Sequence, residues 1–238
     1  MAPTIAIGLS GGIDSLVSAL LLKQQYRNVF GIHFTTGYED APVDLTSMEK
    51  TLGISILSVD LRADFETRVV NYFVATYLGG KTPNPCLACN RAIKFGALFS
   101  AAADLGADFI ATGHYAGTRE ENSGDTALFK GKDFLKEQSY FLSMLTRNQL
   151  NRTIFPLAEM TKQEVKQAAA EKGIAPPVKK ESQDICFIRK KNVADFIASK
   201  TGTPPRPGEI VTRDNKVPAK HLVVPGDDFS WPGRGSAL

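Results

Sequence analysis

Apolar residues along the chain come in short blocks, and the spacing inside the blocks changes from one to the next. Residues 4–9 are a continuous apolar run that stops at Ser10-Gly11-Gly12, and the following stretch sets Ile13, Leu16, Val17, Leu20 and Leu21 at helical spacing. That is a strand, a tight turn and an amphipathic helix. Further apolar runs at 29–34, 54–59 and 109–111 read as buried strands with helical patterns between them. Residues 62–78 and 91–105 read as helices, parted at 79–85 by two glycines and two prolines that demand a loop. Strands alternating with helices predict an α/β fold whose mainly parallel sheet is covered on both faces.

Beyond residue 115 the texture changes. A polar stretch at 119–125 leads to an expected short strand at 128–130, and helical patterns follow, including 161–172, where Thr161 and Glu164 fit a capping box. Six of the 13 prolines fall in the last 36 residues, so little regular structure is expected there beyond a strand near 209–212. The pattern suggests three segments: an α/β domain at 1–145, a helical segment at 146–212 and an irregular tail at 213–238.

The composition narrows the class. With 238 residues, 43% hydrophobic and 22% charged, the chain is long enough for a buried core and has a globular balance. No apolar run approaches the roughly 18 residues of a membrane span, and the first residues lack a basic leader, so no secretory signal is expected and the expected location is cytoplasmic. Net charge is +3, but residues 1–120 carry 9 basic against 11 acidic groups and residues 121–238 carry 19 against 14. That asymmetry hints at a polyanionic partner for the second half. Three cysteines, Cys86, Cys89 and Cys186, are too few for a disulfide framework and suit metal binding or thiol chemistry.

Ser10-Gly11-Gly12-Ile13-Asp14-Ser15 sits where a strand turns into a helix, so backbone N–H groups and the helix N-terminus can hold a phosphate. The spacing fits neither Walker A nor the dinucleotide fingerprint. It resembles instead the PP-loop, SGGxDS, of enzymes that split ATP between its α and β phosphates. The resemblance implies ATP as cofactor, Asp14 holding Mg²⁺, and Ser10 and Ser15 donating to phosphate. It leaves the acceptor open.

The cysteine segments choose among acceptors. Asn84-Pro85-Cys86-Leu87-Ala88-Cys89 puts two thiols at the start of a helix, where the dipole favours thiolate, and Cys186 lies within a second motif at 182–188. With GGKTPNPCLACNRAIKF at 79–95, ATGHY at 111–115, KEQSYFL at 136–142 and SQDICFI at 182–188, residues 4–212 resemble the tRNA-specific 2-thiouridylase family. The resemblance implies a Rossmann-like parallel sheet of the adenine-nucleotide alpha hydrolase type, and a reaction in which ATP adenylates the C2 oxygen of the wobble uridine and sulfur displaces AMP. By position it assigns Cys89, Cys186 and Asp14 to catalysis, and Gly8, Leu9, Ser10, Gly11, Gly12, Asp14, Ser15, Phe34 and Gly113 to the nucleotide. Asn84, Pro85, Cys86, His114, Lys136, Glu137 and Gln138 match tRNA-contacting positions. Partners follow from the same resemblance: tRNA and a sulfur donor such as a sulfur-relay protein, a cysteine desulfurase or free sulfide.

Two departures bear on the chemistry. The family often has Asp where this chain has Cys86, so Cys86, Cys89 and Cys186 could hold a [4Fe–4S] cluster by three irons. Zinc on three cysteines and His114, or a metal-free pair of Cys89 and Cys186 passing sulfur through a disulfide, are the alternatives. The family also continues into a GQR-containing central region and a β-barrel, whereas residues 220–238 show neither, which reads as a natural short form, a truncated chain or a reading-frame error. Lys179, Lys180, Arg189, Lys190 and Lys191 flank Cys186 and could meet RNA phosphates, with Lys130, Lys132 and Lys136 extending the track. His33, inside a strand, reads as a satisfied interior group. A PP-loop enzyme moving sulfur on a small molecule, and a non-enzymatic nucleotide- or metal-binding module, are the competing functions.

Overall fold

The computed structural model describes residues 2–122, 124–178, 185–188, 192–204, 206–210, 212, 214, 216–217 and 219–223. In chain order the elements are β1 (Thr4–Gly8), α1 (Ile13–Gln25), β2 (Asn28–Thr35), α2 (Leu45–Leu52), β3 (Ile56–Asp60) and α3 (Arg62–Phe65), which runs through a π-helical stretch, Glu66–Val70, into α4 (Asn71–Leu78). Then come α5 (Pro85–Cys89), a second π-helical stretch at Asn90–Ala97, α6 (Leu98–Asp104), β4 (Phe109–Ala111), β5 (Ala116–Glu120) and β6 (Thr126–Lys130). The chain goes on through α7 (Ser139–Leu142), α8 (Arg147–Asn151), β7 (Thr153–Ile154), α9 (Lys162–Glu171), α10 (Val193–Thr201), β8 (Arg206–Ile210) and β9 (Ala219–Val223).

One compact unit comprises residues 1–69 and 86–183. Its sheet is parallel throughout, in the order β3-β2-β1-β4-β7. Ile5, Ala6 and Ile7 of β1 are all fully buried, as a strand covered on both faces must be. The core joins them to Leu16 and Leu22 of α1 and Val165 and Ala169 of α9, so α9 is held against the helix that follows β1. Because β2 and β4 lie on opposite sides of β1, the strand order reverses there, and a crevice opens beyond the carboxyl ends of β1 and β4.

The second unit comprises residues 70–85 and 184–238. Its described residues include α4, α10 and the antiparallel ribbon of β8 and β9. Phe73 packs edge-on against Phe187 and Phe196, with ring centroids 5.2 and 6.1 Å away, and forms an aromatic core for this small unit.

The expected parallel α/β architecture is present, and helix 62–78, strand 109–111 and the Thr161/Glu164 capping box fall where the pattern put them. Three features differ. The polar stretch 119–125 is the tip of an antiparallel hairpin, β5 with β6, and the apolar-polar pattern there was too short to reveal β5. The tail expected to be irregular has a strand at Ala219–Val223, which pairs with β8 despite the nearby prolines. Residues 146–178 belong with the sheet unit, because β7 pairs with β4 and α9 packs on α1, so the compact units do not follow the 1–145, 146–212 and 213–238 segments.

Candidate functional site

The turn after β1 is built from backbone constraints. Gly11 has φ +79°, a left-handed conformation that glycine adopts without strain, and a Cβ there would press on Val43 and Val178. The Ser15 hydroxyl donates to the Gly12 carbonyl at 2.8 Å and accepts the Ser10 N–H at 3.3 Å, so the loop is braced from within. Gly12 is the N-cap of α1 and offers no side-chain acceptor to the first turn; Ser10 Oγ accepts only the Gly12 N–H, at 3.4 Å, which leaves the positive end of a 13-residue helix without its usual cap. An anion is the natural complement.

The loop after β4 closes on it. A Cβ on Gly113 would lie 2.9 Å from both the Asp14 carbonyl carbon and the Ser15 nitrogen, so only glycine allows this approach. The resulting cleft is lined by Gly8, Leu9, Ser10, Asp14, Ser15, Phe34, Lys94, Leu98, Thr112, Gly113, His114 and Gln138. Most residues matched to nucleotide contacts are gathered here.

Deep in the cleft, His114 is buried between Phe95 and Phe155. Lys94 Nζ lies 3.4 Å from its Nε2 and Thr112 Oγ1 lies 2.7 Å from its Nδ1. Burial first, then the Lys94 charge, holds the His114 pKa well below its ordinary value, so the ring is neutral and accepts at Nε2. A position matched to tRNA contact is therefore an interior group of the cleft. Gln138 is also a cleft residue, its Oε1 accepting the Tyr115 N–H at 3.0 Å, while Glu137 caps the N–H of Ser139 at 2.6 Å. The Lys136 N–H is turned back to Asp133. His33 is the satisfied interior residue expected, with Nδ1 donating to the Leu9 carbonyl at 2.7 Å.

Asp14 does not stand free. Lys162 Nζ donates to both of its oxygens, at 2.7 and 2.8 Å, and the Tyr115 hydroxyl donates to Oδ1 at 2.7 Å. Lys94, Thr112, Tyr115 and Lys162 carry no assignment in the sequence reading. Lys94 stands in the motif at 79–95 and Thr112 and Tyr115 in that at 111–115, but nothing local marks Lys162.

The cysteines occupy two settings. In α5, Pro85 is buried at the first helical position, Cys86 is exposed and Cys89 is partly buried. The helix then widens into the π-helical stretch, where Gln149 Nε2 donates to the carbonyls of Arg91 and Phe95 at 2.9 and 2.8 Å, and buried Asn90 donates to the Phe141 carbonyl at 2.7 Å. These bonds pin the end of the cysteine helix to residues 141–149. Cys186 is exposed, while its neighbour Phe187 is buried against Phe73 and Phe196 and anchors that turn. Lys179, Lys180, Arg189, Lys190 and Lys191 lie outside the described residues. Lys132 is paired at 2.7 Å with Glu164, whose carboxyl it pulls down to about 2.

The glycine cradle, uncapped helix end and Lys94 fit a nucleotide's phosphates. One carboxylate beside two serine hydroxyls fits a Mg²⁺ that arrives with those phosphates, which complete its oxygen shell. Among the described residues no group of three or more His, Cys, Asp or Glu is placed to hold a metal ion. Nor, among the described residues, is any helix long and apolar enough to cross a membrane.

Comparison with known proteins places this architecture. Residues 3–190 match the family model described as tRNA methyl transferase HUP domain. The chain is 48% identical over 221 residues to the tRNA-specific 2-thiouridylase MnmA of Desulfosudis oleivorans, covering 92% of this chain and 62% of that protein. It is 40% identical over 228 residues to the MnmA of Streptococcus agalactiae, covering 91% and 60%. The chain thus spans about three fifths of the length of these curated relatives. Among solved structures, NMN synthetase from Francisella tularensis superposes with a TM-score of 0.47 at 15% identity, covering 84% of this chain and 78% of that one. With a family match over residues 3–190, most of its length, the chain belongs to the family described as tRNA methyl transferase HUP domain.

Proposed function

We propose that the chain is the nucleotide-binding and thiol-bearing part of an ATP-dependent tRNA sulfurtransferase, which adenylates the C2 oxygen of the wobble uridine and replaces it with sulfur. The observation that carries this reading is the cleft at the β1/β4 reversal, where the uncapped α1 terminus, the Gly11 and Gly113 turns and Lys94 converge. When bound, ATP supplies the activation, because a C2 oxygen leaves poorly and an adenylate leaves readily, releasing AMP and pyrophosphate. The chain's own groups do the rest. Loop N–H groups and Ser10 and Ser15 hold the phosphates, Phe34 flanks the cleft, and neutral His114 keeps Lys94 directed into it. With Mg²⁺ present, Asp14 is the carboxylate that would hold it.

The sulfur step uses two thiols, Cys186 and Cys89. Cys186 carries the sulfur as a persulfide received from a sulfur-relay protein, a cysteine desulfurase or free sulfide with an oxidant. The Cys89 thiolate attacks the Cys186 sulfur, a disulfide forms, and the released hydrosulfide attacks C2 as AMP departs. An external thiol then reduces the disulfide.

The test is direct. Purified chain is incubated with unmodified tRNA, ATP, Mg²⁺ and a persulfide donor, and nucleosides are analysed by mass spectrometry alongside AMP. The expected result is 2-thiouridine and AMP in equal amounts, both requiring tRNA. AMP formed without tRNA would move the reading to a small-molecule acceptor, and neither product would leave a binding module.

A further inference from the structure

The one carboxylate of the phosphate loop is already neutralised by the protein itself. Both Asp14 oxygens accept from Lys162 Nζ, and the Lys162 side chain is only 10% exposed against 31% for Asp14. The lysine is fixed from its backbone outward. It is the first residue of α9, behind the Thr161 cap, and its N–H donates to Asp133 at 2.7 Å. Its ammonium also lies 6.0 Å from the centroid of the Tyr115 ring, whose hydroxyl bonds Asp14. The ion pair joins residues 148 positions apart and belongs to the same unit as the cleft.

A bare carboxylate at this position would repel an incoming triphosphate, and a divalent cation is the usual remedy. We propose that Lys162 is a resident counter-cation of the phosphate loop, which cancels the Asp14 charge so that a nucleotide's phosphates can enter without a divalent cation. Lys162 is a positioning residue in this role, acting through Asp14. The inference rests on the nucleotide reading above and deepens it: the loop admits metal-free nucleotide, and Mg²⁺ then serves the chemistry rather than entry.

The experiment measures ATP binding by calorimetry in EDTA and in saturating Mg²⁺. Lys162→Met is expected to weaken ATP binding at least tenfold in EDTA and less than threefold in Mg²⁺, where the divalent cation takes over the neutralisation. Adding Asp14→Asn to Lys162→Met should restore EDTA binding to within about threefold of wild type, a rescue that a scaffold role does not give. Lys162→Gln, which can still hydrogen-bond Asp14 but carries no charge, keeps the geometry if the methionine variant misfolds and must show the same EDTA-selective loss. A loss equal in both conditions and not rescued by Asp14→Asn, or no loss at all in EDTA, overturns the proposal while leaving the nucleotide site intact. Wild-type chain that binds no ATP even with Mg²⁺ overturns the nucleotide reading and the counter-cation together.

Discussion

Gly113→Ala is the sharpest test of how the cleft is assembled. The added methyl would meet the backbone of Asp14 and Ser15 at 2.9 to 3.0 Å, closer than real side-chain carbons come, and backbone cannot step aside as a flexible side chain can. One strand-end turn must therefore move away from the phosphate loop. Overpacking of this kind costs about 1–3 kcal/mol. For a chain of this size each kcal/mol lowers the melting temperature by about 2–4 °C, so a fall of roughly 2–12 °C is expected. Because that turn closes the cleft over the loop that would hold phosphates, ATP affinity should fall with it. Gly8→Ala is the internal control: its methyl meets nothing nearer than 3.6 Å, so its melting temperature should stay within about 2 °C of wild type. Thermal melts of both variants and ATP titrations of Gly113→Ala against wild type decide the matter. If Gly113→Ala melts like Gly8→Ala and binds ATP like wild type, the close approach of the two loops is not what shapes the site.

Three further outcomes follow from the same geometry. His114 is held neutral by burial, so below pH 6.5 the unfolded chain binds a proton that the folded chain refuses. Stability attributable to this residue should be complete above that pH and fall by up to about 1.4 kcal/mol per unit as pH drops, and melts of His114→Asn from pH 7 to 5 should show a shallower decline. Gln149→Leu strands the Arg91 and Phe95 carbonyls of the π-helical stretch and breaks the α8 capping box. A loss of about 2–4 kcal/mol in urea unfolding is expected, and a loss below about 1 kcal/mol would mean those carbonyls find other partners. Cys89→Ser and Cys186→Ser should each abolish 2-thiouridine formation while leaving ATP binding unchanged, and Cys86→Ser should keep it; loss of thiolation in the Cys86 variant would return a three-thiol site to consideration.

What the sequence disclosed and what it withheld divide along a physical line. The strand-loop-helix around Gly11 was legible because its signals are contiguous: an apolar run, a glycine turn and helical spacing follow each other within 25 residues. The capping box at Thr161 was legible for the same reason. β7 was not, because two residues carry no period, and it exists only through its pairing with β4. The π-helical stretch was hidden inside a helical pattern, since its widened turn depends on a glutamine more than 50 positions away. His114 was flagged as a strand-end residue, yet its depth comes from Phe95 in the π-helical stretch and Phe155 just after β7, far apart in sequence.

Asp14 shows why a motif names a site without describing its electrostatics. In the sequence it is the acidic member of a six-residue loop, and its chemistry is read from that loop alone. In the fold its oxygens are shared by a phenol 101 positions away and an ammonium 148 positions away, and both reach it only because β4 lies beside β1 and α9 packs on α1. The charge state of the phosphate loop is therefore a property of the whole sheet unit. Packing that seats Val165 and Ala169 against α1 also seats Lys162 against Asp14, so the core and the phosphate site are stabilised by the same docking of α9.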